Sequence, residues 1–401
     1  MTTARDAAER AARDGYGRLV AFLSLRTGDL ASAEDALSDA LVAALERWPE
    51  SGVPDAPEAW LLAVATRRSI DAKRHREAKN LPLDLLELAS AAAETDRTFP
   101  DDRLKLLFVC AHPAIDPAAQ TPLMLQTVLG FDAATIARAF LVSASTMGQR
   151  LVRAKTRIRE LAVPFQVPEP GELPERLDAV LNAIYAIYGR AWDDAADERS
   201  PGWIREAIHL ARMLGTLLPN EPEPLGLLAL MLHCEARRPA RSDGEGRYIP
   251  LGNQDAKLWK RAELVEAEQH LGRAATYRRT GRFQLEAAIQ SAHNRRAYDG
   301  TVPWDHILAL YRELIRQRET IGARVAYAGA LASAGFPQSC LDELESMPIE
   351  TIASYQPYWA VRSFTLEALG RSDAARTARD RAAALSNDEA VRRFLDTPPR
   401  N

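Results

Sequence analysis

Four prolines, Pro164, Pro168, Pro170 and Pro174, fall within eleven residues. Proline fixes φ, donates no backbone N–H and pushes the preceding residue toward extended backbone, so no regular helix runs through such a stretch. The prolines divide the chain, and they favour a stiff, extended connector over a Gly/Ser coil. Division is also expected on size, because 401 residues exceed what one core normally serves. The composition, 47% hydrophobic and 26% charged, is that of a soluble globular protein. Alanine, leucine and arginine dominate and strand formers are sparse, so the expected fold class is all-α. Cys110, Cys234 and Cys340 lie far apart, which excludes a disulfide scaffold and a Cys-rich zinc module and fits a reducing, cytoplasmic location. No signal-peptide pattern and no apolar run of ~20 residues points to a membrane.

Apolar spacing outlines the helices. Residues 5–27 form the first. In the second, residues 33–48, Ala36, Leu37, Ala40, Leu41, Ala44, Leu45 and Trp48 make the apolar face, and Glu34, Asp35, Ser38, Asp39 and Glu46 the other. A Pro/Gly-rich turn over 49–57 follows. The third helix starts near Pro57, passes Trp60 and becomes basic at Arg67, Arg68, Lys73, Arg74, Arg76 and Lys79. Residues 80–102 are acidic and linker-like, with one short helix over 83–93. Helices are then expected at 102–111, 118–129, 133–140 and 143–161, with Ser143 or Ser145 as N-cap of the last. The short turn between the last two outlines a helix-turn-helix. Beyond the prolines helices alternate with short loops, interrupted mainly at 237–255. Gly335 and Gly370 end similar helices 35 residues apart, near the ~34-residue period of tetratricopeptide (TPR) units.

A net charge of −4 argues against a global polyanion footprint, so any nucleic-acid surface must come from local clusters. One is the basic end of the third helix, which is either a solvated face or a phosphate-tracking surface. Its Trp60 is either a core residue or a base-stacking platform. A second comprises Arg138, Arg150, Arg153, Lys155, Arg157 and Arg159, with no acidic residue between. Arg150, Arg153 and Arg157 share a helix face, and Ser143, Ser145, Thr146 and Gln149 open the helix with groups that reach phosphates or base edges. In a helix-turn-helix that end enters the major groove, where a matched base contact discriminates by about 1–3 kcal/mol. A third candidate is the acidic face Glu34, Asp35, Asp39, either a salt-bridged surface or a docking face for a basic or coiled-coil partner. Enzyme signals are poor: no P-loop, no dinucleotide fingerprint and no H-E-x-x-H motif occurs. No catalytic residue, cofactor or metal site is expected. Cys110 and His112 suit neither a zinc site nor a dyad, and the remaining histidines are scattered among helices.

The first ~160 residues resemble an extracytoplasmic-function (ECF) RNA polymerase sigma factor. The resemblance is carried by Ala33-Glu34-Asp35-Ala36 through Ala44-Leu45-Glu46-Arg47-Trp48-Pro49, by Ala59 to Asp71, by Cys110-Ala111-His112-Pro113-Ala114, by Ile136 to Val142 and by Gln149 to Lys155. It continues through Val163-Pro164-Phe165-Gln166-Val167-Pro168 and into Ile249 to Asp255 and Phe283 to Ile289, which look like a subgroup with a TPR-like C-terminal extension. It implies sigma region 2 at 1–80, an acidic linker at 81–100, a region 4 helix-turn-helix at 101–162, a Pro-rich connector at 163–176 and the extension at 177–398. It further implies that Glu34, Asp35, Ser38 and Asp39 grip the polymerase clamp coiled coil. Trp60, Arg67, Arg68, Asp71, Lys73, Arg74 and Arg76 fall in the segment that captures the −10 element. Ser143, Ser145, Thr146, Gln149, Arg150, Arg153, Lys155 and Arg157 fall in the −35 reader. The subgroup often shows Gln-Glu where this chain has Ser38-Asp39, a departure that softens clamp binding, and a second cysteine where it has Ala111.

The expected function is therefore that of an alternative sigma factor, with core RNA polymerase and promoter DNA as partners and no covalent chemistry. Two linked DNA readers gain effective concentration from each other, so either alone binds weakly. The extension is the expected controller, either clamping region 2 or region 4 or being required for activity. The alternatives are a helix-turn-helix regulator with a helical sensor domain that never joins polymerase, and an enzyme whose C-terminal half binds a small molecule.

Overall fold

Asp29 shows how local sequence starts these helices. Its extended backbone (φ −139°, ψ 109°) lets the carboxylate accept from Ala31 N at 3.1 Å and from Ser32 Oγ at 2.7 Å, capping the free end of the next helix. The computed structural model describes residues 4–76, 101–140, 142–193, 200–386 and 388–396, which fall into two compact units, Met1–Ile187 and Tyr188–Asn401. Among the described residues there is no β-strand, only an isolated Ser242–Tyr248 bridge, so the fold is all-α as composition predicts. Also among them, no helix is long and apolar enough to cross a membrane.

The first unit contains α1 (Ala4–Thr27), α2 (Leu30–Ser51), α3 (Pro57–Arg76), α4 (Arg103–Cys110), α5 (Pro117–Leu129), α6 (Ala133–Ala139) and α7 (Ala144–Glu160). Helix α1 packs mainly on α2 and α3 and also on α4 and α5. The helices before and after the expected linker thus share one unit. Its core holds Leu19, Leu37, Leu61, Leu62, Leu106, Phe108 and Leu123, all fully buried. At about 1.5–3 kcal/mol per such side chain, this burial dominates the packing. Cys110 belongs to this core: its thiol is 3.7 Å from Thr127 Oγ1, and burial pushes it up to about 12. The expected linker at 81–100, its short helix and Lys79 lie outside the described residues.

Two local expectations differ from the structure. Helix α2 runs through Pro49 to Ser51 instead of ending at Trp48. A proline in the last turn removes only one intrahelical hydrogen bond, and Gly52, with φ 86°, makes the stop by donating to Trp48 O. Leu45 was expected on the buried face of this helix. It is 48% exposed, beside Val42 at 53%, because the buried stripe follows Ala33, Leu37, Ala40, Ala44 and Trp48.

Helix α8 (Leu173–Asp193) contains the division between the units. The second unit continues with α9 (Ser200–Leu217), α10 (Pro222–Arg237), α11 (Arg261–Ala275), α12 (Arg282–Asn294) and α13 (Arg296–Asp299). It ends with α14 (Trp304–Gln317), α15 (Ile321–Ser333), α16 (Pro337–Glu345), α17 (Ile349–Ile352), α18 (Gln356–Ala368), α19 (Ser372–Leu385) and α20 (Glu389–Asp396). The longer helices pack mainly on near neighbours in sequence: α10 on α11 and α12, α14 on α15, α15 on α16, α18 on α19. Gly335 (φ 93°) and Gly370 (φ 71°) end α15 and α18 in the left-handed region that glycine tolerates, which is why both breaks are visible in the sequence. Three short 3-10 turns at Arg238–Ala240, Leu251–Asn253 and Ala256–Leu258 fill the expected interruption.

Candidate nucleic-acid interface

Helix α2 buries Leu30, Ala33, Leu37, Ala40, Ala44 and Trp48 and turns Asp35, Ser38, Asp39, Val42, Leu45 and Glu46 outward. These outward positions recur at i+3/i+4, so they form one acidic stripe that becomes apolar toward the C-terminus. Val42 and Leu45 are the members that sequence reasoning missed. Glu34 departs from the stripe. It is partly buried, its Oε2 pairs with Lys155 Nζ of α7, and its Oε1 is buried with no hydrogen-bond partner. Burial pushes the Glu34 carboxyl up, and the Lys155 ammonium pulls it back. The Tyr16 phenol is raised by burial and then by Glu34.

Helix α3 leaves Arg67 and Arg68 exposed, with Arg68 Nη1 3.1 Å from Asp39 Oδ2 across to α2. Trp60 is half-buried and meets Trp48 edge to face, with centroids 5.4 Å apart at 66°. It is therefore part core and part surface. The side chains of Asp71, Lys73, Arg74 and Arg76 lie outside the described residues, although the helix backbone reaches Arg76.

Helices α6 and α7 pack together through a tight turn in which Val142 N donates to Ala137 O at 3.1 Å. Ser143 caps α7, its Oγ accepting from Thr146 N at 3.1 Å and lying within 3.0 Å of Ser145 Oγ and 2.8 Å of Thr146 Oγ1. Met147, Leu151, Ala154 and Ile158 face inward. Ser145, Gln149, Arg153 and Arg157 are exposed, and Thr146 and Arg150 are half-buried. Arg153 donates to Gln149 O at 3.3 Å, and Arg157 stands 3.8 Å from Glu160. Val152, 64% exposed within this basic surface, was also missed. Lys155 does not share the open face. Its side chain is only 13% exposed because Glu34 holds it. The expected basic members of the reader are thus divided between an open row and one cation engaged inside the unit. The side chain of Arg138 lies outside the described residues.

Residues 12–79, spanning most of α1 through α3, match the sigma-70 region 2 family. Residues 176–275 match a family of unknown function, DUF6596. An uncharacterized protein of Rhizobium meliloti (strain 1021) is 36% identical over 373 residues, covering 90% of this chain and 88% of that protein. The chain belongs to the same family as that protein. The region 2 match supports a sigma factor acting in transcription initiation, and it implies core RNA polymerase and promoter DNA as partners of α1–α3. No solved structure matches the chain. Among the described residues no group of three or more His, Cys, Asp or Glu could hold a metal ion.

Proposed function

We propose that the chain is an ECF-type alternative sigma factor in which α2 docks on core polymerase, the basic half of α3 takes the −10 element and the α6–α7 helix-turn-helix reads the −35 element. The observation that carries the reading is the pairing of the region 2 match with a second, independently capped basic helix, α7, whose Ser145, Gln149, Arg153 and Arg157 face outward. Polar groups at the start of a reader helix reach base edges, and the cations that follow hold phosphates. The outward stripe Asp35, Asp39, Val42 and Leu45 supplies the charge and apolar surface a protein partner needs. In this reading residues 177–398 are a TPR-like extension that controls activity in cis. Nothing in this reading calls for a catalytic residue or cofactor.

Co-purification of the full-length chain with core RNA polymerase tests the reading. A stoichiometric complex is expected, weakened about tenfold by Val42→Asp or Leu45→Asp, since a buried contact residue of this size carries ~1.4 kcal/mol or more. A chain that binds duplex DNA but never joins polymerase would make it instead a helix-turn-helix regulator with a helical sensor domain.

A further inference from the structure

A groove of about 560 Å³ lies within the second unit, and small side chains make it. Ala288 and Ala292 recur at i+4 on one face of α12, which packs on both α11 and α14. Larger residues there would fill the hollow. Helix α12 is thus the floor, with Leu271 of α11 and Leu310 of α14 in the walls. Tyr298, 54% exposed, adds an aromatic ring to the lining. The volume falls within the roughly 300–1,000 Å³ of small-molecule sites, and a mostly apolar lining with a few polar groups is their usual make-up.

The polar groups of the lining are not equivalent. Arg295 Nε lies 2.7 Å from Asp299 Oδ2, so that cation already has its counter-charge. His306 is exposed. Glu268 is held from behind. Its Oε1 accepts from Ser291 Oγ at 2.5 Å, and among the described residues no Lys or Arg pairs with it. Beyond it lies His233, fully buried on α10. Arg237 is a donor only, so Asn294 Oδ1, 3.3 Å from Arg237 Nη1, accepts from it. The Asn294 amide nitrogen then donates to His233 Nδ1 at 3.0 Å. This places the imidazole proton on Nε2, which is buried with no hydrogen-bond partner. Nε2 stands 3.7 Å from Glu268 Oε1, beyond hydrogen-bond range. Burial holds His233 down to about 3, so it is neutral and supplies no charge to the carboxylate. Glu268 is oriented by the residues behind it and left about half exposed with its charge unanswered.

We propose that this groove binds a small amphipathic organic cation, whose ammonium pairs with Glu268 and whose apolar body lies on Ala288 and Ala292 between Leu271 and Leu310. An anion of the same shape meets the unanswered carboxylate, and a neutral molecule forgoes the ion pair. The lining comes from α11, α12, α13 and α14, so an occupant ties these helices together and stabilises the second unit as its concentration rises. Binding is a property of the free chain and is read without polymerase or DNA, so its outcome is independent of the sigma reading.

The experiment is calorimetric titration of the full-length chain with three probes that share an indole ring and differ in charge: tryptamine, the neutral tryptophol and the anionic indole-3-propionate. Tryptamine is expected to bind once per chain, about tenfold or more tighter than either of the others, and to raise the melting temperature of the second unit. Glu268→Gln keeps an acceptor for Ser291 and is expected to remove the preference for tryptamine. Glu266→Gln takes one charge from the same helix outside the groove and is expected to leave the preference intact. Ala288→Leu fills the hollow and is expected to weaken tryptamine about tenfold or more with Glu268 in place. No binding of tryptamine at millimolar concentration, a preference for the acid, or a preference for tryptamine that survives Glu268→Gln overturns the proposal. Equal losses from Glu266→Gln and Glu268→Gln also overturn it, because the attraction would then belong to the acidic surface and not to the groove.

Discussion

The two units place their polar residues differently. In the first, ion pairs join one helix to another, Glu34 with Lys155 between helices far apart in sequence and Asp39 with Arg68 between consecutive ones. In the second, polar side chains are sunk into the helix array. Arg237 donates to Gln290 at 2.5 Å and to Asn294 at 3.3 Å, and Asn294 lies 3.0 Å from His233 Nδ1, with His233 fully buried. Glu223 accepts from Phe283 N at 2.9 Å and from Gln284 N and Nε2, each at 3.1 Å. Buried polar contacts between helices fix one register, here with His233 Nε2 left without a hydrogen bond.

The largest expected effect that separates the units comes from pH. Burial holds His233 down to about 3 and His293 to about 4, from an ordinary value near 6.5, with Arg237 adding to both. Below pH 6.5 the unfolded chain takes up these protons and the folded second unit does not, so its stability is complete above pH 6.5 and falls as pH drops toward those values. Each histidine costs up to about 1.4 kcal/mol per pH unit, so the loss by pH 4.5 is up to about 5 kcal/mol. Hydrogen exchange followed separately over residues 4–187 and 200–396 checks this, and His233→Asn with His293→Asn should flatten the slope in the second unit alone.

Next in size is Glu223→Ala, which strands the Phe283 and Gln284 backbone donors at the start of α12 and should cost the second unit about 3 kcal/mol in urea unfolding. Because burial raises the Glu223 carboxyl, Glu223→Gln should recover part of that loss. In the first unit, Arg153→Ala should weaken promoter binding by the polymerase complex about tenfold or less and lower the salt slope by about one, without changing stability. The smallest effect belongs to the Asp39–Arg68 pair. Both side chains are about half exposed, so Asp39→Ala should shift stability by less than about 0.5 kcal/mol while still reducing affinity for polymerase. A large stability loss from Asp39→Ala, or a negligible one from Glu223→Ala, would erase the contrast between the units.

The sequence made the helices legible to within a few residues, because caps and breakers act locally. Ser143 and Asp132 carry the acceptor that their own helix starts need, and Gly335 and Gly370 supply the left-handed stop. It also pointed to α7 as an outward basic helix. What it hid depends on contacts distant along the chain. Glu34 and Lys155 are 121 residues apart, and nothing near either one signals a partner. Gly17 reads locally as a weak spot in a helix, and only the Val128 carbonyl oxygen, 2.1 Å from where a Cβ would stand, explains it. Leu45 was misplaced because the stripe that α2 buries is defined by the helices it meets rather than by its own pattern. His233 looked isolated because its contact with Asn294 forms only when α10 and α12 pack.

Run-off transcription with reconstituted core RNA polymerase on the DNA upstream of the chain's own gene tests the central claim most directly. The expected result is a discrete transcript that requires the full-length chain and is lost with Arg153→Glu and Arg157→Glu together. A chain that binds that DNA but yields no transcript with core polymerase, under conditions where a known sigma factor does, would contradict it.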